Sequence, residues 1–415
     1  TQAPAAQAAS GSGASKPVTI WYGIDYLAGT TDTLKQQMAD FTKKTNIPVN
    51  FVAKSGSWSD QLNASIQAGT PPDVWQSYDY QCQYWNAQGQ ALDVTQLINK
   101  YQGQQGGFFP YVTATIGQNG HTYAVPLAVN TWPFHARQDI LDKQNNGKWP
   151  DTWDAQRQVG KAITNAPKLY AYGWTMGKID DANNHFIGTL WTFGGKLQNE
   201  DGTFGLKPND DAALAVLDLA QKMYFDDKMI PPAVVQWDNG GNNNAYQGEQ
   251  IAWTSNALSI YGWLQQHKPE IAKVTSLNNY PKGPSGSFGQ VDVWGVTVWK
   301  KTPQQDNALQ AMDWFIDPTH YADRIRTLAP RFTPMYQGML DDKVWDNQVY
   351  QGVKDIAKTG RIMAYAASPQ AGYATFTTRF LIGEMMQNLA VKKLSPKDAY
   401  NQFYQDAKSV YDQYS

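Results

Sequence analysis

The sequence predicts an α/β protein made of two lobes, each a mainly parallel sheet flanked by helices. Two observations point to the parallel sheet of the N-terminal part and to a second lobe. The N-terminal part alternates short apolar runs with amphipathic stretches in the order strand, helix, strand, helix, strand, the pattern of a parallel sheet with helices on its faces. The length, 415 residues, exceeds what one hydrophobic core usually serves.

Val18-Thr19-Ile20-Trp21-Tyr22 reads as a buried strand. Thr31 or Asp32 is expected to cap a helix with Leu34, Met38 and Phe41 at helical spacing, ending near Asn46. Val49 to Ala53 is the next strand. A helix after Ser57 sets Leu62 and Ile66 on one face and closes at Gly69, and Asp73-Val74-Trp75 starts a third strand. Further on, Asn209 is expected to cap a helix carrying Leu214, Leu217, Met223 and Tyr224. Ser395, with Pro396 at the first helical position, opens the last helix, whose stripe is Phe403, Tyr404, Ala407, Val410 and Tyr411. Such stripes are core. Asn239 to Asn244 and Pro281 to Gly286 read as loops.

Composition narrows the function. A net charge of −2 with 17% charged residues offers no basic surface for a nucleic acid, which needs clustered Lys and Arg. No run approaches the roughly 20 apolar residues of a membrane helix. The single cysteine, Cys82, excludes an internal disulfide and a thiolate metal site. The histidines form no HExxH, and no GxxxxGKS or GxGxxG is present, so no metal or cofactor is expected. The 16 Trp and 23 Tyr are rings with polar tips, suited to a ligand with apolar faces and a hydroxyl rim. A sugar has that character. Thr1 to Lys16, TQAPAAQAASGSGASK, is too small and polar to offset its ordering entropy and reads as a flexible tether. Such a tether commonly follows a lipidated cysteine, so a lipid anchor is inferred as the one link to a membrane.

In parallel sheets, ligands sit beyond the carboxyl ends of the strands. That rule selects Tyr22 to Tyr26, Gly56 to Trp58 and Ser77 to Tyr80, all polar and aromatic.

A series of local signatures then resembles the family 1 extracellular solute-binding proteins, the maltose-binding-like group of bacterial ABC importers. They are VTIWYGID from Val18, GTPPDV from Gly69, YWNAQGQALDVT from Tyr84, GHTYAVPLAV from Gly120, Pro150-Asp151-Thr152-Trp153, and YQGEQIAW from Tyr246. The similarity runs from Val18 to the C-terminus. It implies a periplasmic-binding-protein-like fold, the same sheet-and-helix build in both lobes, with crossovers near residues 128–131, 279–284 and 315–318. The implied division is a tether at 1–17, an N-lobe at 18–128 plus 282–316, and a C-lobe at 129–281 plus 317–415. It also implies a monomer that closes by hinge motion on a carbohydrate and passes it to permease subunits. The sequence departs from the maltose-binding pattern at Gly23, Tyr26 and Asn130, which turns the expectation away from maltose itself.

The expected N-lobe ligand residues are Tyr22, Asp25, Trp58, Tyr78 and Asp79, with Asn130 and Trp132 at the crossover. Trp174, Trp253, Ser255, Asn256, Trp294, Arg331 and Tyr373 complete the expected set. Rings would cover sugar faces; carboxylates and amides would bind hydroxyl pairs. A glycoside hydrolase is the rival, with Asp180-Asp181 or Asp226-Asp227 as its carboxylates. Adjacent acids on a loop or helix end are usually solvated, which counts against it. An acid-rich cleft would instead point to a polyamine, and an Arg cluster to a phosphoester.

Overall fold

A computed structural model describes residues 16–55 and 58–414. The expected tether and lipid anchor within residues 1–15, together with Gly56 and Ser57, lie outside the described residues.

The first strands form as the pattern requires: β1 (Val18–Gly23), β2 (Val49–Lys54) and β3 (Val74–Ser77), with β1 parallel to both others. A small hairpin of β4 (Gly117–Gln118) and β5 (His121–Thr122) precedes β6 (Val125–Trp132). Pro133 then separates β6 from β7 (Phe134–Arg137), which belongs to a different sheet. With β8 (Tyr170–Tyr172), β9 (Ile251–Ser255) and β10 (Thr275–Asn278), β7 builds that second sheet, in the order β10-β7-β9-β8. β11 (Gln290–Val298) returns to the first, whose order is β2-β1-β3-β11-β6. These two sheets are the centres of the two lobes.

The sheets are mixed rather than mainly parallel. β11 runs antiparallel to β3 and β6, and β7 antiparallel to β9 and β10. Strands that re-enter a sheet from the other lobe arrive against the direction of the βαβ strands, a feature that local periodicity does not encode. The expected third crossover at 315–318 falls between the helices Gln305–Ile316 and Pro318–Leu328, both of which pack against the first helix.

Helix starts shift by a residue or more from the expectation. The first helix spans Thr30–Thr45 and is entered from Gly29 at φ 88°, before Thr31 and Asp32. Thr31 Oγ1 instead accepts a hydrogen bond from the Asp25 backbone N–H at 3.1 Å. Asp210, not Asn209, caps the helix Asp211–Gln221 by accepting from the Ala213 N–H at 3.0 Å. Ser395 caps the last helix, Pro396–Asp412, as expected. Asn239–Asn244 is not a loop throughout, because a helix over Gly241–Gln247 begins inside it. Among the described residues no helix is long and apolar enough to cross a membrane.

Candidate functional site

A cavity of about 310 Å³ lies between the lobes, at the carboxyl ends of β1 and β3. β1 delivers its loop through Gly23. A Cβ there would stand 2.8 Å from Trp58 Nε1 and 3.0 Å from Gln76 Oε1, so only glycine lets the indole and the amide close over the strand end. The next residues turn sharply, with Asp25 Oδ1 accepting from the Leu27 N–H at 2.9 Å.

Asp25 forms the floor of the first wall. Arg331 Nε donates to its carboxylate at 2.9 and 3.1 Å, and Nη2 donates at 2.7 Å. Nη1 donates to Asn130 Oδ1. Both members of the pair are buried. The guanidinium also lies over the rings of Trp294 and Phe332, 5.0 and 4.2 Å from their centroids. This fork satisfies the buried charges on each other.

Above it the same wall is aromatic. Tyr78 meets Trp294 edge-on at 5.2 Å and 77°, and stacks with Tyr80 at 6.3 Å. Trp132, the last residue of β6, completes the group. Trp294 reaches the cavity at a register shift between Trp294 and Gly295, where an irregular strand re-aims a side chain.

Two carboxylates stand among these rings. Asp79 opens the helix Asp79–Ala87 and Asp292 projects from β11. Burial pushes Asp79 up to about 8, with the Asp292 charge adding to the rise. Burial likewise lifts Asp292 to about 6, against the opposing influence of Asn130, Arg331, Trp132 and Trp294. Among the described residues, Asp79 Oδ2 and Asp292 Oδ1 are buried oxygens without a close hydrogen-bond partner.

The second wall comes from the other lobe. Asp180 and Asp181 open the helix Asp180–Thr192 and face the cavity, so the expectation that they form a solvated surface pair is overturned. Burial raises Asp180 to about 6 and Asp181 well above the usual carboxylate range. Asn256 Nδ2 donates to Asp181 Oδ2 at 3.0 Å, and also to Asn242 and Asn243 at 3.0 and 2.6 Å. Asn239 Nδ2 approaches Asp180 at 3.5 Å. Tyr26 spans the mouth, its hydroxyl 3.4 Å from both Asn244 Oδ1 and Gln247 Oε1 across the gap. Among the described residues no group of three or more His, Cys, Asp or Glu is placed to hold a metal ion.

Of the expected ligand residues, Asp25, Tyr78, Asp79, Asn130, Trp132, Asn256, Trp294 and Arg331 line this cavity. The others do not. Tyr22 is buried against Phe51 at 6.0 Å, because its position in β1 turns it into the lobe. Trp58 packs with Leu62, Trp75 and Trp85 and reaches the site only through its hydrogen bond to Tyr78. Trp174 stacks on Trp153 at 6.1 Å and Trp253 meets Trp149 edge-on at 6.0 Å, both fully buried in the second lobe. Ser255 is consumed internally: its Oγ bonds the Tyr280 hydroxyl at 2.9 Å, and His185 Nε2 holds its carbonyl at 2.6 Å. Tyr373 is buried on the helix Ala371–Thr378, behind the helix that carries Asp79. Sequence reasoning missed Asn184 and Asp292 as lining residues, and held Tyr80 and Asn243 only within the segments Ser77 to Tyr80 and Asn239 to Asn244, not as ligand residues. The asparagine-rich run could have signalled Asn243; Asp292, inside an apolar strand, gave no such signal.

The family described as "Bacterial extracellular solute-binding protein" matches residues 28–321. A protein of Brucella abortus (strain 2308) that carries only a provisional binding-protein name is 22% identical over 198 residues, 47% of each chain. The chain thus spans about half the length of the curated relatives it matches. An ABC transporter solute-binding protein from Thermotoga lettingae TMO, bound with α-D-tagatose, superposes with a TM-score of 0.83 at 17% identity, covering 96% of this chain and 100% of that one. Maltose-bound T. maritima MalE3 gives 0.81 at 19%, covering 95% and 99%. A sugar transporter from Arthrobacter chlorophenolicus A6 with bound laminaribiose gives 0.81 at 16%, also covering 95% and 99%. At these identities the likeness is one of fold.

Proposed function

This chain belongs to the bacterial extracellular solute-binding protein family, and from that premise we propose that it captures a carbohydrate for an ABC importer. The family works outside the cytoplasm and binds its solutes without transforming them. The observation that carries the sugar reading is the interlobe cavity, with rings on one wall and amides and carboxylates on the other. Rings cover the apolar CH faces of a pyranose, while planar polar groups bind its hydroxyl pairs. The sugars held by similarly folded solute-binding proteins support the same ligand class.

The cavity volume sits at the lower end of the ~300–1,000 Å³ common for small-molecule sites, which favours a disaccharide or the end of a longer glycan. The lobes are taken to hinge where the chain passes between sheets, around 128–133 and 279–289. A third passage is placed beyond Pro318–Leu328, near Thr333, which pairs with Val129. The closed clamp then docks as a monomer on membrane permease subunits, held near them by a lipid-anchored tether.

A thermal-shift screen over mono- and oligosaccharides tests the reading. A ligand that binds only the folded state adds about 2.7 kcal/mol at 100 times its dissociation constant, so the right sugar raises the melting temperature. Chromatography should recover that sugar unchanged, and solution scattering should show a smaller particle at saturation. Failure of every sugar to shift the melt would sink the carbohydrate reading, and release of a shorter sugar would return Asp180 and Asp181 to the hydrolase.

A further inference from the structure

We propose that the ligand of this cleft is an amino sugar, a pyranose or short glycan whose protonated amine sits against Asp79 and Asp292. The inference rests on the sugar-binding reading above and adds the ligand's charge. The cavity wall holds five carboxylates, Asp25, Asp79, Asp180, Asp181 and Asp292, against one cationic side chain, Arg331. Arg331 is already committed, forked onto Asp25 with its remaining amino group on Asn130. Asp181 is held by Asn256, and Asp180 is approached by Asn239.

Asp79 and Asp292 have only neutral donors beside them, the Tyr80 N–H at Asp79 and Asn130, Trp132 and Trp294 at Asp292, and no cation of their own. One oxygen of each is buried without a close hydrogen-bond partner among the described residues, and Asp79 is only 4% exposed. Two desolvated carboxylates acting on each other cannot both stay ionised without a compensating charge. A neutral hydroxyl donates one hydrogen and leaves the repulsion in place. An ammonium donates up to three and cancels a charge. The first turn of the helix Asp79–Ala87, with the Tyr80 N–H beside Asp79, offsets part of the burial that opposes its ionisation, and the ammonium would supply the rest.

The neighbours of this pair specify the rest of the molecule. Trp132 lines the same space with its indole N–H toward Asp292, adding a flat ring for which a linear polyamine has no matching face. Tyr78 and Trp294 present rings suited to the CH face of a pyranose. Amine and hydroxylated ring are therefore required together.

Calorimetric titration with matched trios separates the possibilities: the amino sugar, its N-acetyl form and the parent sugar in the gluco, galacto and manno series, as monomers and β-1,4 dimers, with spermidine alongside. The amine should bind at least about tenfold tighter than its neutral partners, the size of one charge-assisted hydrogen bond. That preference should collapse to about twofold or less in Asp79→Asn, and likewise in Asp292→Asn, with apo melting confirming that each variant folds. Equal or tighter binding of a neutral partner overturns the amine while leaving the sugar reading intact. Binding of spermidine alone, or of nothing in the panel, overturns the sugar reading and this inference with it.

Discussion

The two walls of the cleft are built from different chemistry. The first-lobe wall carries Tyr78, Tyr80, Trp132 and Trp294 with Asp79 and Asp292 set among them. The second-lobe wall presents Asp180, Asp181, Asn184, Asn239, Asn243 and Asn256, with no aromatic ring among its described lining residues. The second lobe is no poorer in aromatics, but Trp153, Trp174, Trp253 and Tyr172 are packed into its interior. A ring in the middle of a covered strand has nowhere to point but the core. Trp253 is such a case, paired on one side with Ala136 of β7 and on the other with Tyr172 of β8. A ring at a strand end or a register shift, like Trp132 or Trp294, is free to face the gap. The ligand is thus gripped by its faces from one lobe and by its polar rim from the other.

That contrast can be broken most severely at its foundations. Arg331→Ala strands Asp25 as an unpaired buried charge and should cost about 3–5 kcal/mol of stability; urea unfolding reads this directly. A loss below about 1 kcal/mol would mean that the fork does not hold the first wall together. Trp253→Ala should cost a similar ~3–5 kcal/mol through an unfilled core cavity. Trp294→Ala, at a ring only partly buried at the cleft, should cost clearly less stability and weaken sugar affinity instead. Titration beside unfolding for the two Trp variants would reverse the picture if Trp253 governed affinity and Trp294 stability.

A smaller effect sharpens the electrostatic side of the first wall. Asp79 is held up to about 8 when folded, against about 4 in an unfolded chain. Its contribution to stability is therefore fully present below about pH 4 and is lost as pH rises through 8. Asp180 and Asp292, each raised to about 6, act in the same direction over the lower part of that window. The ligand-free protein should melt lower at pH 9 than at pH 5, and Asp79→Asn should narrow the difference. An unchanged pH profile in the variant would show that the fold does not raise Asp79.

The smallest expected effect lies where the walls meet. Tyr26→Phe removes a hydroxyl that spans the mouth at 3.4 Å to Asn244 and Gln247. Both contacts are long and half in water, so sugar affinity should fall by about 1 kcal/mol or less, through faster release in stopped-flow measurements. A loss of a hundredfold would move Tyr26 from a latch to a direct ligand contact.

The sequence by itself determined the elements and the place of the first wall. The periodicity of Leu34, Met38 and Phe41 and the apolar run from Val18 are local, and the structure honours both. The rule that ligands gather beyond strand ends led to Asp25, Tyr78 and Asp79, since a residue just past a parallel strand has a fixed direction once the strand exists. The second wall was beyond that reasoning. Asp180 and Asp181 read as a solvated pair because adjacent acids on a loop or helix end usually are, yet this helix start brings them into the gap and burial raises both. Asp292 was hidden by the apolar strand around it, and its closeness to Asp79 exists only because β11 re-enters the first sheet beside β3. Which tryptophans face ligand and which fill the core was likewise decided by tertiary packing. A ring carries the same apolar surface in either place, and only the neighbouring strands and helices determine which side of it is covered.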